Sequence, residues 1–246
     1  MSDLVQFIRE RYLQTLDQIA IAARSVGRDP ESVKLVVVTK AQPVEVVRAV
    51  IEAGAHILGE NYPEESVKKL QSLRKFSAVE WHMIGHVQSR KAQLVAENFN
   101  FLHSLDSLKL AARLSQFCGE AGRTLPVLLE FNVGGEESKS GWPAWDEERW
   151  PSLLDELAAV IALPNLQVHG LMTMPPLGET AEFSRPYFQK LKRLQGFLSL
   201  QYPKVDFSEL SMGTSSDYDV AIQEGATFVR VGTAIVGPRQ FKTEVE

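Results

Sequence analysis

Lys40 closes the run Lys34-Leu-Val-Val-Val-Thr-Lys40, in which four apolar residues and a threonine precede one basic side chain. A short unbroken β-branched run reads as a strand buried on both faces, the kind a parallel sheet uses. Pro43 follows three residues later, where a proline suits the first turn of a helix. Lys40 is therefore expected at the carboxyl end of a buried strand, the edge where α/β folds bind ligands. Lost hydration at such a position favours the neutral, nucleophilic form of an amine. Position alone equally allows a lysine that reaches back to solvent.

Two later stretches bear on that choice, Ser211-Met-Gly-Thr-Ser-Ser216 and Gly232-Thr233. Gly213 and Gly232 let the backbone approach an anion, and the hydroxyls of Thr214, Ser215 and Thr233 are donors suited to phosphate oxygens. A helix beginning at Ser215 or Ser216 would add a favourable N-terminus. Each stretch alone reads as a capping serine and turn glycines. Together they read as a phosphate site, because they fall in the loops after the seventh and eighth strands counted below. A lysine and a phosphate site at one mouth suggest a phosphorylated carbonyl compound. Pyridoxal phosphate is one such partner of a Schiff-base lysine, and a sugar phosphate in a class I aldolase is another. Arg230, two residues before Gly232, favours the first, since arginine is a usual partner of the pyridine nitrogen.

The elements that must position these residues follow from periodicity. Leu4, Phe7, Ile8, Tyr12, Leu16, Ile19 and Ala23 mark an N-terminal helix over 2–25, capped by Ser2. Strands are then expected at 34–39, 56–61, 79–85, 101–105, 126–133, 167–173, 207–212 and 227–232. Helices are expected between them, near 43–53, 63–74, 89–97, 107–121, 150–163, 182–200 and 217–224. Strands alternating with helices require a parallel sheet. Eight such units in 246 residues give the size of a TIM (β/α)8 barrel, parallel and eight-stranded, with an extra N-terminal helix. An open doubly wound sheet is the competing architecture. Residues 1–246 are expected to form a single domain, since no linker or low-complexity segment divides them.

Composition narrows the class. A formal charge of -5 argues against a nucleic-acid surface, and no apolar run reaches membrane-spanning length. One cysteine, Cys118, excludes an internal disulfide and fits a reducing cytosol, so a soluble cytoplasmic monomer is expected. Cys118 lies in a helical pattern and reads as a small buried hydrophobe. His82 and His86 have metal-like spacing, but no acid or cysteine completes a ligand set, and no metal site is expected. Gly135-Glu-Glu-Ser-Lys-Ser-Gly141 fails the Walker spacing. Lys139 within it reads as a solvated loop lysine, with a transient amine for cofactor transfer as the sharper alternative. The long loop from Gly134 to Arg149 carries Trp142 and Trp145, which are expected to pack on a helix in preference to forming a lid.

The ordered motifs Val38-Thr-Lys40, Gly59-Glu-Asn61, Trp81-His-Met-Ile-Gly85 with Gln88-Ser-Arg-Lys91, His103-Ser-Leu-Asp106, Asn132-Val133 with Glu137-Ser-Lys-Ser-Gly141, Gly170-Leu-Met172, Leu210-Ser-Met-Gly213 with Ser215-Ser-Asp217, and Arg230-Val-Gly-Thr-Ala-Ile-Val-Gly237 resemble the pyridoxal phosphate homeostasis protein family. The resemblance covers nearly the whole length. It implies the fold of the alanine racemase N-terminal barrel. It also implies a Schiff base at Lys40, Arg230 facing the pyridine nitrogen, and Ser211, Gly213, Ser215, Gly232 and Thr233 around the phosphate. Thr214, where the family commonly has Met, would add a hydroxyl there. Asn61, His82 and Met83 would line the ring. Pro63-Glu-Glu65 after Tyr62 departs from the family's Val-Gln-Glu-like continuation and alters the start of a helix. Such proteins are regarded as binding and regulating the cofactor, with cofactor-requiring apo-enzymes as partners, without an established reaction. A weakly active amino-acid racemase is the alternative. Racemases of this fold use a second, β-rich domain, for which the residues after the eighth strand leave no room.

Overall fold

The computed structural model describes residues 2–237; Met1 and residues 238–246 of the expected single domain lie outside them. Eight parallel strands form a closed ring: β1 (Lys34–Val38), β2 (Ile57–Glu60), β3 (Glu80–Met83), β4 (Phe101–Leu105), β5 (Leu125–Asn132), β7 (Leu166–Met172), β8 (Glu209–Thr214) and β9 (Phe228–Val231). β1 pairs with both β2 and β9, and the β4–β5 pairing completes the closure. The open-sheet alternative is thereby excluded. A two-residue strand, β6 (Trp142–Pro143), pairs with the carboxyl end of β5, with Phe131 opposite Trp142.

Helices α1 (Asp3–Ser25), α2 (Val44–Glu52), α3 (Pro63–Ser72), α4 (Ala92–Asn98), α5 (Leu108–Glu120), α6 (Leu154–Ile161), α7 (Arg185–Gln201), α8 (Tyr218–Gln223) and α9 (Thr233–Val236) surround the ring. Local chemistry sets their ends. Ser2 caps α1 by accepting from the Val5 amide, and Ser107 caps α5 by accepting from that of Leu110. Pro63 opens α3 at its first turn. Pro43 sits one place earlier than expected, as the N-cap of α2, with an extended backbone. Gly54 and Gly225, at φ of 112° and 101°, end α2 and α8 in a region where a side chain would be strained. Neither the four-residue α9 nor β6 has a legible sequence pattern, because both are too short to show a period.

The larger apolar core lies between ring and helices and includes Phe99, Phe131, Phe188 and Cys118. Each such large side chain removed from water contributes roughly 1.5–3 kcal/mol. Inside the ring is a smaller cluster of Val36, Leu128, Met172 and Phe228, with Ile57, Ile84 and Phe101 packed against it. The Gly134 to Arg149 loop is anchored by Asn132, whose amide group donates to the Glu136 carbonyl and accepts from the Gly135 N–H. Trp142 is buried with its ring centroid 5.9 Å from that of Phe131, while Trp145 is half exposed at 43%. The loop also meets a helix as expected, Lys190 of α7 donating to the Trp145 carbonyl at 2.7 Å, while the backbone of Trp142 adds a contact with β5 that was not expected. That contact is possible because Phe131 and Asn132 at the carboxyl end of β5 run past the residues that pair with β4.

Candidate functional site

At the carboxyl ends of the strands a cavity of about 370 Å³ opens, within the range usual for small-molecule sites. Lys40, Asn61, Thr214, Ser215, Arg230, Gly232 and Thr233, all expected at the site, line it together. They come from the ends of β1, β2, β8 and β9, whose adjacency in the ring brings Lys40 and Thr233, 193 positions apart, into one volume. Lys40 is half-buried and is followed by Ala41 at φ 57°, a strained left-handed conformation for a residue with a Cβ.

Beneath Lys40 lies a buried ion pair. Lys69 Nζ of α3 is 2.6 Å from Glu60 Oε1 at the end of β2, and also donates to the Thr39 carbonyl at 3.0 Å. Thr39 Oγ1 donates to Glu60 Oε1 at 2.7 Å, and Ser66 Oγ to Glu60 Oε2 at 3.2 Å. The residue immediately before Lys40 is therefore held at both its carbonyl and its side chain.

Arg230 is 4% exposed. Its Nη1 donates to Ser211 Oγ at 2.5 Å, and its Nη2 to the Thr173 carbonyl at 3.0 Å. Below it a chain of contacts runs down the barrel axis. Ser211 Oγ is 2.8 Å from His103 Nδ1, His103 Nε2 is 2.9 Å from His82 Nδ1, and His82 Nε2 is 3.3 Å from Glu80 Oε2. Because arginine only donates, one proton arrangement satisfies every link. The Ser211 hydroxyl donates to His103, His103 Nε2–H to His82, and His82 Nε2–H to the Glu80 carboxylate. Desolvation lowers the pKa of both histidines, and Arg230 and His82 push His103 down further. Both are neutral, as this arrangement needs. Burial also lowers Arg230 to about 10, which leaves it protonated at neutral pH.

The two hydroxyl-bearing loops are tied to each other, the Gly232 N–H donating to Ser215 Oγ at 3.3 Å. Asp217 Oδ1 accepts from the Thr214 N–H at 2.7 Å and from Thr214 Oγ1 at 3.0 Å, while its Oδ2 accepts from Ser184 Oγ. Gly213 has φ 90°, and a Cβ there would lie 2.6 Å from that of Ala221 and 2.9 Å from the Tyr218 Cα. Only glycine permits this close turn. α8 begins at Tyr218 with Asp217 at its N-cap, so Ser215 and Ser216 lie in the preceding turn and not at the helix start expected for them.

Four expected site residues do not reach the cavity. Met83 faces the helical layer, because strand side chains alternate and His82 and Ile84 take the inward phase. His82 and Ser211 do point inward but one layer lower, where they form the chain under Arg230. Gly213 shapes the loop from behind. His86 sits at the mouth, 2.8 Å from Asp106 Oδ2, well apart in role from the buried His82.

Val38, Ile84, His86, Glu130, Met172 and Met174 also line the cavity. Glu130 is the consequential addition. It is 7% exposed, its Oε2 is buried without a hydrogen-bond partner, and burial together with Asp106 raises its pKa to about 7 against the pull of Arg230 and Lys139. The legible signal was an acid interrupting the apolar run Val127-Leu-Leu-Glu130 in a strand buried on both faces.

Comparison with known proteins gives the ancestry. Residues 15–240 match the family described as alanine racemase, N-terminal domain. The pyridoxal phosphate homeostasis protein of Vibrio alginolyticus is 40% identical over 95% of this chain and 98% of its own. That of Aquifex aeolicus is 39% identical over 94% and 98%. This chain belongs to the pyridoxal phosphate homeostasis protein family. Among solved structures, PipY of Synechococcus elongatus with pyridoxal phosphate bound is 35% identical, with a TM-score of 0.79 over 94% of this chain and all of that one. Alanine racemase of Clostridium difficile is 17% identical, with a TM-score of 0.67 over 97% of this chain and 58% of that one. That likeness extends to the fold alone.

Proposed function

We propose that this protein binds pyridoxal phosphate as a Schiff base at Lys40 and holds or delivers it for cofactor-requiring apo-enzymes, without strong catalysis of its own. The carrying observation is that Lys40, Arg230 and the Thr214–Ser216 and Gly232–Thr233 loops line one cavity of about 370 Å³. The donor set fits the cofactor. An amine meets the aldehyde, backbone and hydroxyl donors meet the phosphate, and Gly232 keeps open a place where a Cβ would come within 3.2–3.3 Å of Val38. The names of the relatives and the ligand of the PipY structure support the same reading.

Bound pyridoxal phosphate supplies an electrophilic carbon and an electron-withdrawing ring. The protein's residues restrain that second property. Arg230 keeps its proton and is braced by Ser211 and Thr173, so a ring nitrogen facing it accepts a hydrogen bond and stays unprotonated. An unprotonated ring withdraws electrons poorly, which suits retention better than turnover. No described helix is long and apolar enough to cross a membrane.

The test is the absorbance spectrum of purified protein with added pyridoxal phosphate. A Schiff-base band that disappears in Lys40→Ala is expected. A wild-type protein that develops no such band overturns the proposal. Turnover of a D/L-amino-acid panel, lost in Lys40→Ala, would establish a racemase instead.

A further inference from the structure

Glu130 is the charged group at the mouth to which cofactor binding gives no task. β5, which carries it, lies opposite β1 in the ring of eight, so Glu130 approaches the cavity from the side facing Lys40. Its Oε2 is buried and lacks a donor. The phosphate and phenolic oxygens and the unprotonated ring nitrogen of pyridoxal phosphate are all acceptors, and the one N–H, on the Lys40 linkage, has the adjacent phenolic oxygen as its acceptor, so none of them satisfies that oxygen when Glu130 is a carboxylate. An ammonium can.

We propose that Glu130 is the acid–base residue through which bound pyridoxal phosphate passes from Lys40 to an incoming primary amine. This rests on the binding role proposed above. A primary ammonium has no lone pair with which to attack. The Glu130 carboxylate takes one proton from R–NH3+, giving R–NH2 and a carboxylic acid. The amine lone pair then forms a carbon–nitrogen bond at the former aldehyde carbon, while the bond from that carbon to Lys40 Nζ breaks. The proton on the old linkage stays with the new one, and Lys40 leaves as a neutral amine. The carboxylic acid returns its proton to Lys40, which restores the carboxylate. Nothing is oxidised or reduced, and no co-reactant is consumed.

The surroundings suit this task. Burial and Asp106, on the β4 side, hold Glu130 back from ionising, while Arg230 of β9 and Lys139 of the loop after β5 favour its charge. Lys40 and His86 complete the charged or titratable groups around the cavity among the described residues. The balance lies near 7, where a general acid–base group has both forms available. Ser215, Ser216 and Thr233 at the rim are exposed, which leaves a way in for an amine.

The experiment loads the protein with pyridoxal phosphate and follows decay of the bound band after mixing with Nα-acetyl-lysine amide, or in a second arm glycine, between pH 6 and 9. Transfer to the first and not the second identifies a protein lysine as the acceptor, and equal transfer identifies small amines. Glu130→Gln is expected to slow transfer at pH 7 by about 100-fold, the lower end of the range for general acid–base catalysis. It should also abolish the limb of the pH profile near 7, and Glu130→Asp should restore part of the rate. In the cofactor-free protein, 13C-NMR should show a glutamate carboxyl titrating near 7 that is missing from Glu130→Gln. Equal rates and profiles in wild type and Glu130→Gln overturn the proposal, as does a Glu130 resonance titrating below 5. If Glu130 is only a counter-ion for Arg230, the variant loses affinity while its pH profile stays unchanged, and the proposal is likewise overturned. A wild type that never forms the band defeats the binding role itself, a result separable from all of these.

Discussion

Replacing Lys69 by Met isolates the ion pair under Lys40. Side-chain exposure is 9% for Lys69 and 2% for Glu60, so the methionine removes the partner of a carboxylate that water cannot reach. Breaking a buried pair from one side costs about 3–5 kcal/mol. Thr39 and Ser66 still donate to Glu60, and the Gln42 N–H still donates to the Thr39 carbonyl, which points to the lower end, about 3 kcal/mol. For a chain of this size each kcal/mol lowers Tm by about 2–4 °C, so a fall of about 6–12 °C is expected. Lys69→Met/Glu60→Gln removes the stranded charge, and it should lie within about 1 kcal/mol of wild type, since neutral replacements of buried pairs often cost nothing. Calorimetry and urea unfolding measure both variants. Because Thr39 precedes Lys40, the single variant should also form the Schiff-base band more weakly at equal cofactor concentration. A single variant that loses less than 1 kcal/mol, or a double variant as unstable as the single, would refute the reasoning.

Three further outcomes follow from the same geometry. Glu130 in the folded protein titrates near 7 instead of at its ordinary 4.5, so its protonated form stabilises the fold below pH 4.5 and that contribution is lost as pH rises to 7. At about 1.4 kcal/mol per pKa unit the loss is about 3 kcal/mol, so urea unfolding of cofactor-free Glu130→Gln should show greater stability than wild type at pH 8 and parity at pH 4.5. Gly85→Ala would place a Cβ 2.5 Å from the Asn61 carbonyl oxygen, and it should weaken cofactor affinity several-fold in a spectroscopic titration by moving Asn61; unchanged affinity would show that Asn61 is not needed. His103→Phe strands the Ser211 hydroxyl and His82 Nδ1, at about 1–3 kcal/mol for each buried group, and should shift the bound-cofactor band through Arg230; a wild-type spectrum would separate Arg230 from the chain below it.

The elements were legible because each announces itself locally. A run such as Leu35 to Val38, rich in β-branched valine, has few conformations open to it, and the capping residues Ser2 and Ser107 and the helix-opening Pro63 act within one turn. Lys40, Arg230 and the Gly213 and Gly232 loops could be paired as one site because barrel strands all present their carboxyl ends to one face. Side-chain depth was not legible to the same degree. Met83 and His82 are neighbours in sequence, yet one packs against helices and the other lies in the barrel axis. A one-residue change of phase decides this, and short strands of four residues leave the phase open.

Sequence alone thus indicates the eight ring strands, their parallel order and the residues whose chemistry matters, since these rest on local periodicity and on functional groups that do not depend on packing, whereas ring closure and the two-residue β6 have no local pattern. Tertiary structure alone settles which of those groups touch. It places Ser211 beneath Arg230 and away from the mouth, threads His103 and His82 below it, and brings Lys69 under the residue before Lys40. It also turns Glu130 from an oddity in an apolar strand into a carboxyl facing Lys40 across the cavity. The reason is ring closure. Register and shear fix the depth of each inward side chain relative to strands as many as 194 residues away, as between Lys34 and Phe228, and no local pattern encodes that offset.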